Sequence, residues 1–503
     1  MATQRSLANH ANSHDPHAGE RRIARERRIF VNRNLKMASI RAIGFDMDHT
    51  LAVYRKLPTE TLAFEATRDK LIAEKNYPES IGALRYDPEL IIRGLVVDKR
   101  LGNILKTDQY NYVVRLYHGT HLVAKEERRR LYRNRRVRLS SAKYMSIDTL
   151  FALPEATLFA LLVDHFESDV KRGRADYAKM YDDVRECIDR AHADGTIKKA
   201  IVAAPERFIE RHGELPRALA MFRDHGKKLF LLTNSEPHYT QAVMSYLLDG
   251  ASASMPGWND YFDVVVVSAG KPGFFRSNKP VQRLRADEIR RAGLPEAARG
   301  RLFQGGGARA LEDVVGHGGE EILYVGDHTF GDILRAKAHS RWRTAMVVEE
   351  LEREIELERR LAHRYHRLDG LVAERNRVLL DLGRSRRRLQ ALGAGRPGPQ
   401  EVAAGPALEA TQRLQARIAE LEAESARAAA ELRLLREIIE RRFNPHWGKL
   451  FKCGEVNSRF GHQVKDFACI YTSAVRNFLA YPESMYFRSP REIMPHEMGP
   501  GRE

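Results

Sequence analysis

Two carboxylates, Asp46 and Asp48, stand two residues apart in GFDMDHTLAVY, directly after the apolar run Ile40–Phe45. Side chains i and i+2 of an extended segment point the same way, so both acids can face one pocket. Acids crowded in a low-dielectric pocket repel unless a cation joins them or one keeps its proton. A bound Mg²⁺ resolves that repulsion, and its hard charge suits oxygen ligands. An isolated DxD is usually a surface turn; the apolar run before this one and Thr50 after it favour a site. Other apolar runs end in matching chemistry. LFLLTNS ends in Thr233, Asn234 and Ser235, small donors suited to phosphate oxygens. VVVVSAGK ends near Lys271, a point cation able to neutralise a phosphoryl group. ILYVGDHTFGD supplies Asp327 and Asp332, further acids for a metal shell. Each piece alone reads as a turn, a helix cap or a solvated lysine. In this order, each at a strand end, they compose a phosphoryl-transfer site.

The elements that must position these residues are short apolar runs of the kind parallel strands show: Ile40–Phe45, Lys228–Leu232, Phe262–Val267, Glu321–Val325 and Arg343–Val348. Helical patterns such as Glu214–His225 and Asp332–His339 lie between them, which predicts a doubly wound parallel α/β sheet with a Rossmann-like core. Such sheets bind ligands at the C-terminal ends of their strands. The gap from Phe45 to Lys228 far exceeds one crossover, so a mixed α+β domain is expected there, over 57–212. Its first part reads as strand and loop, and Thr149–Phe166 and Ala175–His192 as helices. Residues 349–443 are rich in charge and leucine. Leu414, Ile418, Leu421, Ala428, Leu432, Leu435 and Ile439 follow alternating steps of four and three, with Ser425 filling one slot, a heptad seam. Leu361, Leu368, Leu371, Leu382 and Leu389 mark an earlier helix, and GAGRPGPQEVAAGP is the turn between them. This helical hairpin reads as a packing or oligomerisation element with solvated charged faces. The chain thus divides into a disordered basic N-terminus (1–27), core (28–56), insert (57–212), core (213–348), hairpin (349–443) and a C-terminal segment packing on the core (444–503).

The 503 residues carry a net charge of +17, which suits phosphorylated small molecules; RNP boxes and zinc-finger spacings are missing, so no nucleic-acid partner is expected. Cys187, Cys453 and Cys469 form no CxxC pair. No secretory h-region or membrane-length apolar run occurs. A soluble cytoplasmic protein without a membrane partner is the expectation.

The motifs DMDHT, LLTNS, the lysine of AGKPGFF and GDHTFGD resemble those of the haloacid dehalogenase superfamily of phosphatases. More closely, FVNRNLKM, GFDMDHTLAVY, RGLVVDKRLGNILKTD, TLFALPE, GDHTFGDIL and YPESMYFRSPREIMPHE resemble the cytosolic purine 5'-nucleotidases of the IMP/GMP-preferring type. The similarity runs from about residue 28 to 498 and is weakest in the hairpin. It implies that Asp46 is the nucleophile and Asp48 the acid–base. It also implies that Asp46, the backbone carbonyl of Asp48 and Asp327 hold Mg²⁺, with Asp332 orienting the metal shell or Lys271. Thr233, Asn234 and Lys271 would bind the phosphoryl group, and the insert would close as a cap. Arg185, Asp189 and His192 fall at i, i+4 and i+7, which by periodicity alone is an ion-paired helix face. The resemblance instead puts them, with Lys198, around purine and ribose, and stacks Phe151 on the base. A purine nucleoside monophosphate substrate, a possible acceptor nucleoside and a homo-oligomer follow from it. Departures occur: His49 stands where tyrosine is expected, and Asp148 and Ala338 replace an amide and a lysine beside Phe330 in an adenine-nucleotide effector site, which argues against ATP activation. The chain also stops at GPGRE, without the acidic tail of animal members. Competing readings are a phosphatase for another phosphomonoester and a non-catalytic basic coiled-coil scaffold.

Overall fold

The computed structural model describes residues 23–133, 136–168, 176–394 and 404–490. Its central sheet has nine strands: β1 (Phe30–Val31), β2 (Ala42–Phe45), β3 (Lys228–Leu232), β4 (Val264–Val267), β5 (Gln282–Arg283), β6 (Leu302–Gln304), β7 (Ile322–Gly326), β8 (Arg343–Val347) and β9 (Ile470–Thr472). Across the sheet they run β1-β9-β8-β7-β2-β3-β4-β6-β5. The inner strands are parallel, and a two-residue antiparallel strand closes each edge. The expected strands are present within a residue or two. The C-terminal segment enters the sheet itself through β9, paired in parallel with β8.

The strands β2, β4 and β7 are buried along their whole length, as a sheet covered on both faces requires. One face carries an aromatic layer. Phe230 and Tyr324 stack at 6.5 Å, and Phe275 and Trp342 each pack 5.7 Å from Tyr324. Gly44 sits beneath this layer because a Cβ there would come within 2.2 Å of the Phe230 ring. With β3 on one side of β2 and β7 on the other, the strand order reverses at β2, and the loops leaving all three open into one crevice.

Between β2 and β3 the chain forms a five-stranded antiparallel sheet, ordered His121–Leu122, Val113–His118, Asn103–Thr107, Val96–Asp98, Tyr144–Ser146. Helices Lys56–Lys75, Leu153–Glu167 and Tyr177–Ala193 pack on one another beside it. The last is capped by Asp176, which accepts from the Lys179 amide at 3.0 Å. Of the expected disordered N-terminus, 1–22 lie outside the described residues. Arg25–Arg27 form a 3₁₀ turn, tied down by Arg27 to Glu214 at 2.7 Å.

Residues Glu354–Lys449 form a separate unit. Helices Ala362–Ala394 and Ala404–Phe443 pair through Leu361, Ile439 and Phe443 at one end and Val378, Leu382 and Leu421 further along, which makes them antiparallel. Arg367–Glu431 (2.8 Å) and Arg386–Glu422 (2.6 Å) bridge them on the exposed side. The Gly/Pro-rich turn of the sequence reading falls largely on 395–403, outside the described residues. Among the described residues, no helix is long and apolar enough to cross a membrane, and all three cysteines are free.

Candidate active site

Asp46 follows β2, Thr233 follows β3, Lys271 lies in the loop after β4, and Asp327 follows β7. The strand ends bring them together. Lys271 Nζ lies 2.8 Å from Asp46 Oδ1 and 2.8 Å from Asp332 Oδ1, and donates to the Tyr324 hydroxyl at 3.0 Å. Tyr324 donates in turn to Asp332 at 3.2 Å, so the aromatic layer beneath the sheet ends in a polar tip that fixes the lysine. Asp332 reaches the cluster from a π-turn, Thr329–Leu334, rather than from the plain helix expected from Asp332 onward. Its amide and that of Ile333 both bond the His328 carbonyl, and His328 Nδ1 accepts from the Phe330 and Gly331 amides. Such wide turns recur at functional sites. Gly326 makes room, since a Cβ there would lie 2.7 Å from Asp332 Cβ.

Asp46, Asp327 and Asp332 are all buried and offer oxygens within 4.8 Å of one another. Burial pushes Asp46 upward; Lys271 pulls against it, while Asp332, Asp327 and Asp48 push with it. Burial likewise pushes Asp327 up to about 6, with His49 drawing it down. For Lys271, burial favours the neutral amine, but Asp332 and Asp46 outweigh it and hold the ammonium above its usual range. Arg93 and His49 also act on Asp327, but each is paired with a glutamate, Glu350 and Glu349, so Lys271 is left to answer four aspartates and negative charge is in excess. Asp327 Oδ2 is buried and has no hydrogen-bond partner. A hard divalent cation meets both conditions: it supplies the missing charge and takes carboxylate oxygens as ligands. The donor set fits a metal of that class.

Asp48 stands beside the cluster, with both oxygens held. Tyr54 donates to Oδ1 at 2.6 Å and Ser235 to Oδ2 at 2.9 Å. The Tyr54 hydroxyl also meets that of Tyr239 at 2.9 Å. Thr233 is fully buried, and its hydroxyl accepts from the Ser235 amide at 3.1 Å. Asn234 clasps the lysine loop. Its Oδ1 accepts from the Lys271 amide at 2.7 Å and its Nδ2 donates to the Lys271 carbonyl at 3.0 Å.

The predicted base-binding residues come in two groups. Phe151, 38% exposed, lies 4.7 Å from the His49 ring and 5.9 Å from that of His192, both edge-on. His49 pairs with Glu349 at 3.1 Å. Burial, the largest influence, opposes its charge, but Glu349, Asp327 and Asp48 together push it up to about 9. Burial, then the Lys198 charge, hold His192 below its ordinary value. Lys198 pairs with Glu236, one residue past Ser235. The second group is Arg185 and Asp189, which pair at 3.2 Å and line a groove of about 480 Å³ along their own helix. Neither Phe151 nor the carboxylate cluster is among that groove's lining residues. Arg185 is anchored by the buried Glu155 at 2.8 Å. In the expected effector region, Asp148 forms a buried pair with Arg459 at 3.2 Å.

Residues 29–499 match the 5' nucleotidase family. The chain belongs to that family. A 5'-nucleotidase domain-containing protein of Dictyostelium discoideum is 28% identical over 483 residues, covering 93% of this chain and 74% of that protein. This 5'-nucleotidase is therefore a hydrolase of nucleotide monophosphates. Sequence reasoning overlooked Tyr54, Tyr239, Tyr324 and Glu155 as supports of its site. Tyr54 ends the GFDMDHTLAVY motif and Glu155 the TLFALPE motif, which was the available signal.

Proposed function

We propose that the nucleotidase hydrolyses purine nucleoside 5'-monophosphates, IMP and GMP with their deoxy forms, through an aspartyl-phosphate on Asp46. Asp46 attacks phosphorus as the bond to the nucleoside 5'-oxygen breaks, and Asp48 passes its proton to that oxygen. Asp48 then takes a proton from water, whose oxygen attacks phosphorus and frees Asp46. An acceptor nucleoside hydroxyl in place of that water gives phosphotransfer. Thr233 and Lys271 hold the phosphoryl oxygens, and Asn234 keeps the lysine loop in register. Asp46, the Asp48 carbonyl and Asp327 would hold Mg²⁺, with Asp332 orienting that shell or Lys271, and the ion would supply positive charge between the nucleophile and the phosphate dianion.

For the leaving nucleoside, Phe151 stacks on the base, Arg185 and Asp189 read the 6-oxo edge and ring N–H, and His192 and Lys198 meet the ribose. The insert between β2 and β3 serves as the cap that closes on the nucleotide and excludes water. We assign the protein to the cytoplasm and to a homo-oligomer. The observation that carries the reading is the convergence of Lys271, Asp46 and Asp332 within 2.8 Å contacts at the sheet's reversal point, with the exposed Phe151 edge-on to His49, the residue after Asp48. The test is phosphate release from IMP, GMP, AMP, CMP and UMP with and without Mg²⁺. IMP and GMP should lead, and Arg185→Ala with Asp189→Ala should erase that preference while p-nitrophenyl phosphate is still cleaved. Equal rates on purine and pyrimidine substrates would overturn the purine reading.

A further inference from the structure

Arg93, in RGLVVDK between β2 and β3, has a wholly buried side chain. A buried guanidinium persists only where its charge and its donors are met. Its Nε and Nη2 donate to the two oxygens of Glu350, Nε at 2.9 Å. Its Nη1 donates to the backbone carbonyl of Asp327 at 3.1 Å. The same nitrogen lies 3.8 Å from Asp327 Oδ2, the oxygen without a hydrogen bond. The guanidinium covers the Phe460 ring at 4.9 Å. Gly94, at φ +83°, permits that approach, because a Cβ there would meet Phe460 Cβ at 2.5 Å. Glu350 lies just beyond β8 and Phe460 in the helix Arg459–Phe467, so three distant stretches of chain meet behind Asp327.

We propose that Arg93 and Glu350 are positioning residues for the Asp327 carboxylate: Arg93 fixes the Asp327 peptide, and Glu350 holds the Arg93 charge off Oδ2. The inference rests on the metal-site reading given above. A guanidinium released from Glu350 would pair with the nearest anion, which is Asp327 Oδ2, and would compete with a metal for it. The bidentate grip on Glu350 both neutralises the guanidinium and keeps it beyond hydrogen-bonding distance of that oxygen. The nitrogen that Glu350 does not engage, Nη1, donates to the Asp327 carbonyl, which ties the buried pair to the residue that carries the carboxylate.

The experiment is Mg²⁺ binding by isothermal titration calorimetry on the full chain, for the parent, Arg93→Lys and Glu350→Gln. Partners behind a metal ligand commonly set affinity by about ten- to hundredfold. Both variants should therefore bind Mg²⁺ at least about tenfold more weakly, and Glu350→Gln should regain phosphate release at saturating Mg²⁺. Parent-like affinity, within about twofold, in folded variants overturns the proposal. If Arg93→Lys does not fold, the isosteric Glu350→Gln decides alone. A parent that binds no Mg²⁺ overturns the metal-site reading and this proposal with it, a result distinct from unaltered binding in the variants.

Discussion

Replacing Asp327 by asparagine in metal-free protein should stabilise the fold while abolishing activity. Burial pushes the Asp327 carboxyl up to about 6 from an ordinary 3.8, against the pull of His49 and Arg93. A carboxyl raised on folding binds its proton more tightly in the folded chain. Its support for folding is complete below the ordinary value and is lost as pH rises through about 6. At ~1.36 kcal/mol per pH unit, the loss is roughly 3 kcal/mol at pH 7.5 and about 1 kcal/mol at pH 4.5. Asparagine carries no charge at either pH, so it escapes this desolvation cost at both. For a unit of about 400 residues, an unfolding entropy near 2.1 cal/mol/K per residue turns ~3 kcal/mol into about 3–4 °C. Scanning calorimetry in EDTA should find Tm raised by that much at pH 7.5 and by only about 1 °C at pH 4.5. Mg²⁺ should no longer raise Tm, and phosphate release should vanish. A variant that melts lower at pH 7.5, or gains equally at both pH values, refutes the view of Asp327 as a desolvated charge that its cationic neighbours only partly offset.

Tyr54→Phe removes one of the two hydrogen bonds on Asp48. Bonds to charged groups are worth about 1.5–3 kcal/mol, so kcat should fall roughly ten- to hundredfold with KM little changed, in steady-state kinetics on IMP. Phe151→Ala should raise KM for IMP by about five- to 150-fold, since base stacking is worth about 1–3 kcal/mol, yet spare p-nitrophenyl phosphate. Gly326→Ala places a Cβ 2.7 Å from Asp332, so Mg²⁺ affinity should drop in a calorimetric titration. Gly44→Ala drives a Cβ into the Phe230 ring and should destabilise by about 1–3 kcal/mol in urea unfolding.

The core was legible because its strands are short unbroken apolar runs, each followed within four residues by its chemical residue. That local coupling let β2, β3, β4 and β7 be read with Asp46, Thr233, Lys271 and Asp327 at their ends. The strand β9 was not legible. Its three residues, Ile470–Thr472, pair with a strand more than a hundred residues earlier, and no local pattern announces such a partner. The π-turn at Thr329–Leu334 was also hidden, since its extra residue per turn is imposed by the His328 contacts rather than by periodicity. Asp332 consequently sits deeper among the carboxylates than a helix cap would. Asn234 carried a small-donor signature suited to phosphate, yet its amide in this structure spans the Lys271 peptide. Arg185 and Asp189 show their periodicity plainly, but nothing local discloses that Glu155, thirty residues upstream, anchors the arginine.

Whether Asp46 becomes phosphorylated is the most direct test of the account. IMP carrying a radiolabelled phosphate should be mixed with the protein and Mg²⁺, quenched in acid within milliseconds, and the protein digested. Label is expected on the peptide containing Asp46, lost on hydroxylamine treatment and missing from Asp46→Asn. Undiminished phosphate release from a protein that never carries label, or label on another residue, would contradict it.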